Sequence, residues 1–253
     1  MVSYKLCDRN HECENCPFDI VMRQDPSIRK SLMSTAKKGD IKNISAISSF
    51  STNDYLQTIV NSFFASILSF PMAYDRLYTH GHLWILQEKP NLLTIGIDHI
   101  VSHFLKSMEE IVLPQVHTAL SADSPCIWIV CHEGTVTIPS PLEGEVARIN
   151  SRLIESAHLL NSSPYIDGWM ISISTNKPPL LKEKFFDADI AKTLYANEIC
   201  SIQENILSEL SRASPETGQT MFDGGIRAKN LEDVIGTRKY FFLLQNLISK
   251  SKK

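Results

Sequence analysis

The sequence predicts an α+β chain in which a small domain of antiparallel strands lies between two helical extensions. Three observations carry that reading. Short β-branched and aromatic runs crowd residues 76–175, each bounded by turn residues. Apolar residues recur at helical spacing before and after that stretch. The chain is 253 residues long, 43% hydrophobic and 21% charged, which suits a globular protein able to bury a substantial core.

Residues 1–75 read as helical. "FDIVMRQ" has helical character, and Pro26 permits a restart. After a Ser- and Asn-rich connection at 40–50, "STNDYLQTIVNSFFASILSF" sets Leu56, Ile59, Val60, Phe63 and Ile67 on one stripe. Thr52, Asn53 or Asp54 can cap this helix, and Pro71 ends it. The strands follow as "HLWIL", "LLTIGI", "CIWIVCH", "EVARIN" and "WMISIS", with turns at "PNLL" and "LEGE". One helix, from Asp98 to about Met108, interrupts them. A flattened barrel or sandwich is the expected result.

Helix returns near the C-terminus. "DADIAKTLYANEICSIQENILSELSR" aligns Ile202, Ile206, Leu207 and Leu210, and "NLEDVIGTRKYFFLLQNLISKSKK" aligns Tyr240, Leu243, Leu244 and Leu247. "SPETGQTMFDGG" between them reads as a loop. The organisation is therefore 1–75, 76–195 and 196–253. The apolar stripes of both extensions must bury against the β-domain, each other or a second copy of the chain, which makes a homo-oligomer one expectation.

A net charge of −3 gives no electrostatic reason to expect nucleic acid or a membrane surface as partner. "MVSYKLCDRNHECENC" has no apolar core of the secretory kind, so a cytoplasmic protein is expected. No phosphate loop, dinucleotide fingerprint or nucleophile elbow occurs, and the expectation is a protein that is not an enzyme. Trp84, Trp128 and Trp169 alternate with aliphatic residues and read as core. His99 and His103 sit four apart on one helix face without an interleaved glutamate, so two exposed or half-buried histidines are expected rather than a metal pair.

Several motifs in order carry a resemblance. They are "YTHGHLWI" with His82 and Trp84, "LTIGIDHIV" with Gly96, and "VLPQV" with Pro114. "SPLEGEVARIN" follows with Pro141, Gly144 and Glu145, then "NSSPYIDGWMISI" with Pro164, Tyr165, Gly168 and Trp169. From about Tyr78 to Leu194 the chain resembles the glycine cleavage system H-protein, a relative of lipoyl and biotinyl carrier domains. The resemblance implies a lipoyl-carrier-like antiparallel β sandwich with a projecting hairpin. In that family the hairpin bears a lysine joined to lipoate, and the arm shuttles an aminomethyl group between enzymes.

"CHEGTVTIP" reads as that hairpin, turning at Glu133-Gly134. Counting back from "SPLEGEV" brings the family's lysine position to Glu133, and Val130 stands where the family has an acidic residue. A carboxylate cannot form the lipoyl amide, and no lysine occurs from Ser107 to Asn176. Lipoate is therefore not expected. Two readings of the tip stand. His132, Glu133 and Gly134 can be a solvated docking turn for a protein partner, such as a lipoyl-dependent or redox enzyme. Alternatively Cys131, His132 and Glu133 make a new site, although neighbours on a strand point to opposite faces. The resemblance itself favours a carrier in glycine decarboxylation.

Six cysteines are unevenly placed, three of them in "CDRNHECENCPFD". Cys7, His11, Cys13 and Cys16 offer four soft ligands with the bite of a zinc site. A redox dithiol of Cys13 and Cys16, an iron–sulfur cluster completed by Cys200, and unligated thiols are the other readings.

Overall fold

The computed structural model describes residues 52–106, 108–176, 180–212 and 228–249. The cysteine cluster, Pro26 and the whole "SPETGQTMFDGG" loop lie outside these residues. Of the helical stripe expected before the strands, α1 (Thr52–Leu68) forms and buries Val60, Phe63, Phe64 and Ile67. It ends three residues before Pro71, whose ring cannot follow a helical residue without a clash.

Two antiparallel sheets hold the middle of the chain. The first uses β1 (Leu77–Tyr78), β2 (Leu83–Lys89), β3 (Leu92–Ile97), β5 (Ala119–Leu120), β8 (Gly144–Ile149) and β9 (Trp169–Ser174). Their order is β1-β2-β3-β9-β8-β5. The second sheet is β4 (Met108–Val112), β6 (Pro125–Cys131) and β7 (Gly134–Pro139), in the order β4-β6-β7. Both sheets feed one apolar core, through Ile85, Leu93, Ile95 and Ile171 on one side and Ile127, Ile129, Val136 and Ile138 on the other. The antiparallel expectation holds, but the described strands do not close into a barrel: β1 and β5 remain the edges of the larger sheet.

Trp84 explains the glycine at position 96. A Cβ there would lie 2.4 Å from the indole ring, so only a bare backbone lets the ring lie across β3. The indole N–H then donates to the Pro164 carbonyl at 3.0 Å, fastening the segment before β9 to the sheet. Trp128 departs from its expected core role. Its side of β6 faces away from the core, and it is 37% exposed beside Val112, its cross-strand partner.

The helix α2 (His99–Phe104) starts where Asp98 caps it, with one carboxylate oxygen accepting from the N–H groups of Ile100 and Val101 at 3.0 Å each. It stops at Phe104 rather than near Met108. Met108–Val112 instead pairs with β6, burying Ile111, and that ladder takes the residues the helix would have used. The short helices α3 (Arg152–Glu155), α4 (Leu159–Ser162) and α5 (Leu181–Lys184) occupy connections. The helix α6 (Ala188–Arg212) runs unbroken from the β-domain into the C-terminal extension. It is followed by α7 (Leu231–Ile235) and α8 (Thr237–Ile248). The expected stripe of α8 is buried at Tyr240, Leu244 and Leu247, with Leu243 partly so.

Candidate functional site

The hairpin of β6 and β7 turns one residue earlier than its sequence suggests. Cys131 pairs with Gly134, so His132 and Glu133 form the two-residue turn. Neither has a positive φ, which the usual two-residue hairpin turns require, and Gly134 supplies the compensating backbone at φ +151°. Three adjacent side chains then diverge. Cys131 is buried, and burial, with Glu133 and Glu109, pushes its thiol up to about 11. His132 is 80% exposed, while the Glu133 side chain is only 16% exposed. The His132 and Glu133 side chains are 3.6 Å apart at Nδ1 and Oε1. Cys131 takes no part, so the three-residue tip site does not assemble: a thiol protonated at neutral pH and facing the core is a packing residue.

The turn and the strand after it meet a helix from outside the sheet. α8 packs along β7, with the Phe241 ring so close to Gly134 that a Cβ there would meet it at 3.1 Å. Gln245 donates to the Thr135 carbonyl at 3.5 Å, and Ile248 joins Pro139 in lining a cleft of about 190 Å³ at the strand's other end. Tyr240 anchors the helix from beneath, donating to the Phe104 carbonyl at 3.1 Å. The hairpin expected to project freely is therefore flanked at Gly134 and Thr135 by the chain's own last described helix, while His132 at its apex stays exposed.

A second polar centre joins the sheet to α6. His82, at φ +59°, is fully buried and its Nδ1 lies 2.7 Å from Asp98 Oδ2. The Tyr195 ring lies over the imidazole at 4.1 Å between centroids, and Glu198 Oε2 is 3.6 Å from Nε2. Burial alone would push the imidazolium down, but Asp98 and Glu198 together outweigh it and hold His82 at about 9. Glu198 Oε2, at 3.6 Å, is the polar group facing Nε2 and lies just beyond ordinary hydrogen-bond distance. Sequence reading had reached His82 through a motif and Asp98 as a helix start, but nothing local in "ANEICS" signals that Glu198 would face them.

His103 is half-buried, as expected, whereas His99 is buried. His99 Nδ1 is 2.9 Å from the Tyr165 hydroxyl, and His103 Nε2 is 3.2 Å from Ser66 Oγ. Ser66 spends its only proton on the Phe63 carbonyl, so His103 Nε2–H is the donor in that contact. Burial, then Lys106 and His99, brings His103 down to about 4. Among the described residues no group of three His, Cys, Asp or Glu side chains could hold a metal ion. Cys7, His11, Cys13 and Cys16 are outside those residues. None of the described helices is long and apolar enough to cross a membrane.

An antiparallel β-domain with a projecting two-residue hairpin, fastened through its Trp84 and His82 turns, defines a carrier-domain fold. The profile of the glycine cleavage H-protein family matches residues 76–197. A glycine cleavage system H protein of Salmonella arizonae is 31% identical over 121 residues, which is 48% of this chain and 93% of that one. One from Pectobacterium carotovorum is 34% identical over 96 residues, covering 38% and 74%. The mitochondrial glycine cleavage system H protein 3 of Arabidopsis thaliana is 37% identical over 106 residues, or 42% of this chain, and the match spans 63% of the plant protein. A crystal structure of an H protein from Mycobacterium marinum superposes with TM-score 0.42 at 20% identity, covering 47% of this chain and 94% of that one. The chain belongs to the glycine cleavage H-protein family. The helices α1, α7 and α8, and most of α6, fall outside the matched span.

The family implies a lipoyl group, and the residues present at the hairpin do not fit one. Amide attachment needs a primary amine, while this turn offers an imidazole and a carboxylate.

Proposed function

We propose that this chain is an H-protein-fold module that bears no lipoyl arm at its hairpin and works, without catalysis, by binding another protein. The observation that carries the proposal is Glu133 at the turn where the resemblance places the family's lysine, its side chain only 16% exposed. A surface for a partner is present beside it. The outer face of the smaller sheet sets Val112 next to Trp128 and Val130 next to Thr135, and both Trp128 and Val112 are exposed. Aromatic anchors of this kind dominate protein-protein contacts. A lipoyl-dependent or redox enzyme is the partner class proposed, since a carrier-like surface is what such an enzyme docks. The division into 1–75, 76–195 and 196–253 and a cytoplasmic setting belong to the same proposal. Zinc at Cys7, His11, Cys13 and Cys16 would be a separate property of the N-terminal segment.

A second reading, an aminomethyl carrier in glycine decarboxylation, is favoured by the family match over 76–197. It needs an attachment point other than the hairpin. Intact mass of the protein, produced with lipoate and a lipoyl ligase, separates the two. The expected result is the unmodified mass. A gain of one lipoyl group, mapped to any residue, would replace the first reading with the second.

A further inference from the structure

We infer that the junction of α1, α2 and the loop entering α7 is a binding cleft for a small organic phosphate. The cleft holds about 400 Å³ and is lined by Ile59, Phe63, His103, Lys106, Lys229 and Leu231, with Ser62 and Asn230 at its polar side. A second cleft of about 260 Å³ shares His103 and Lys106 and continues to Phe70, His99 and Pro164. Lysines and histidines are the only ionisable residues lining either space.

Both lysines are available. Lys106 makes no hydrogen bond or ion pair with a carboxylate among the described residues; its Nζ stands 4.9 Å from the Phe63 ring. Glu232 is the acid acting on it most directly, at a distance beyond an ion pair, and Asp233 is spent on the backbone N–H groups of Lys229 and Asn230. Lys229 makes no side-chain hydrogen bond or ion pair with another described residue and sits on a loop held from two sides. The Tyr55 hydroxyl of α1 donates to the Ala228 carbonyl at 2.8 Å, and Asp233 Oδ2 accepts from the Lys229 N–H at 2.7 Å. The loop that presents the cation is thus pinned before any ligand arrives.

The walls specify more than a bare anion. Asn230 uses its side-chain oxygen to accept from the Asp233 N–H, which leaves its amide hydrogens to donate. Ser62 adds a hydroxyl at the same side. Phe63, Ile59 and Leu231 supply apolar lining to the same cleft. Two ammonium groups beside an amide and a hydroxyl match the several acceptor oxygens of a phosphate monoester, and the apolar lining matches a carbon skeleton attached to it. Only α2 among these elements lies within the family-matched span, so the cleft is a property of this chain's additions.

Calorimetric titration of the full chain with phenyl phosphate, inorganic phosphate and benzoate tests the inference. Phenyl phosphate should bind saturably at millimolar or lower concentration and at least tenfold more tightly than either fragment. Lys229→Ala, at an exposed position, should weaken it about tenfold, and Lys106→Met, which keeps the apolar stem, by at least as much. Unchanged melting of both variants shows that the fold is intact. No saturable binding, equal affinity for inorganic phosphate, or affinity indifferent to both substitutions in folded protein would each overturn the inference.

Discussion

The C-terminal extension meets the β-domain in two places built on opposite physics. At one end α6 closes over His82 and Asp98, where two fully buried ionic side chains sit beneath an aromatic ring and within reach of Glu198. At the other, α8 lays Phe241 on a glycine and Gln245 on a strand carbonyl, beside a histidine that is mostly in solvent. Charges taken out of water are costly to separate from their partners, whereas an apolar edge contact is held only by the area it covers. The difference teaches that the α6 junction is ionic, while α8 is held by its buried stripe of Tyr240, Leu244, Leu247 and Ile248 and touches the hairpin turn through Phe241. Of the two junctions, the Phe241 contact at the hairpin turn is therefore the one a substitution can alter most cheaply.

The largest effect that would break this comparison comes from Asp98→Ala. Asp98 serves both the α2 N-terminus and His82, so its loss leaves two backbone donors uncapped and a buried imidazolium without its nearest counter-charge. Severing a buried pair by removing one partner costs about 3–5 kcal/mol. Urea denaturation should record a loss in that range. A loss no larger than that of an ordinary surface substitution would mean that α6 closes over a pair contributing nothing.

How much of this was legible in the sequence follows from the range of each interaction. The strands "LWIL", "LLTIGI" and "WMISIS" were readable because alternation and β-branching are local. "MEEIV" was missed because one buried residue, Ile111, is too little periodicity to outvote a helix, and only its pairing with β6 decides it. The turn was misplaced by one residue because a glycine is usually inside a hairpin turn, while Gly134 here opens the strand after it. Trp128 was read as core because an aromatic among aliphatics looks buried until the strand's phase against the core is known. The contact of Phe241 with Gly134 and the reach of Glu198 had no sequence signal, since both join positions far apart in the chain through helix packing.

The second test sharpens the comparison through pH. His82 is held at about 9 in the folded protein against an unperturbed 6.5. A folded value above the unfolded one contributes stability that is complete below about 6.5 and lost as pH rises through about 9. The groups facing the ring are Asp98, Glu198 and the Tyr195 ring. The buried thiols of Cys126 and Cys131, raised to about 12 and about 11, add a loss of the same sign only once unfolded thiols begin to ionise, near 9. Unfolding free energy should therefore fall by roughly one to three kcal/mol between pH 6.5 and 8.5. His82→Gln should flatten that window while leaving the decline above it. A slope unaltered in the variant would show that the junction is not ionic.

The smallest effect belongs to the Phe241 contact. Gly134→Ala places a methyl group 3.1 Å from the Phe241 ring on a backbone at φ +151°, and should cost about 1–2 kcal/mol. Phe241→Ala should cost about 1 kcal/mol, since the ring is only partly buried against the core. If α8 is seated on the turn, the double variant is less destabilised than the sum by about 0.5–1 kcal/mol, because the methyl no longer meets the ring while the backbone strain remains. Strict additivity would mean that helix and hairpin do not touch in solution. In that case α8 would not flank the turn, and the hairpin would stand open to any protein able to reach it.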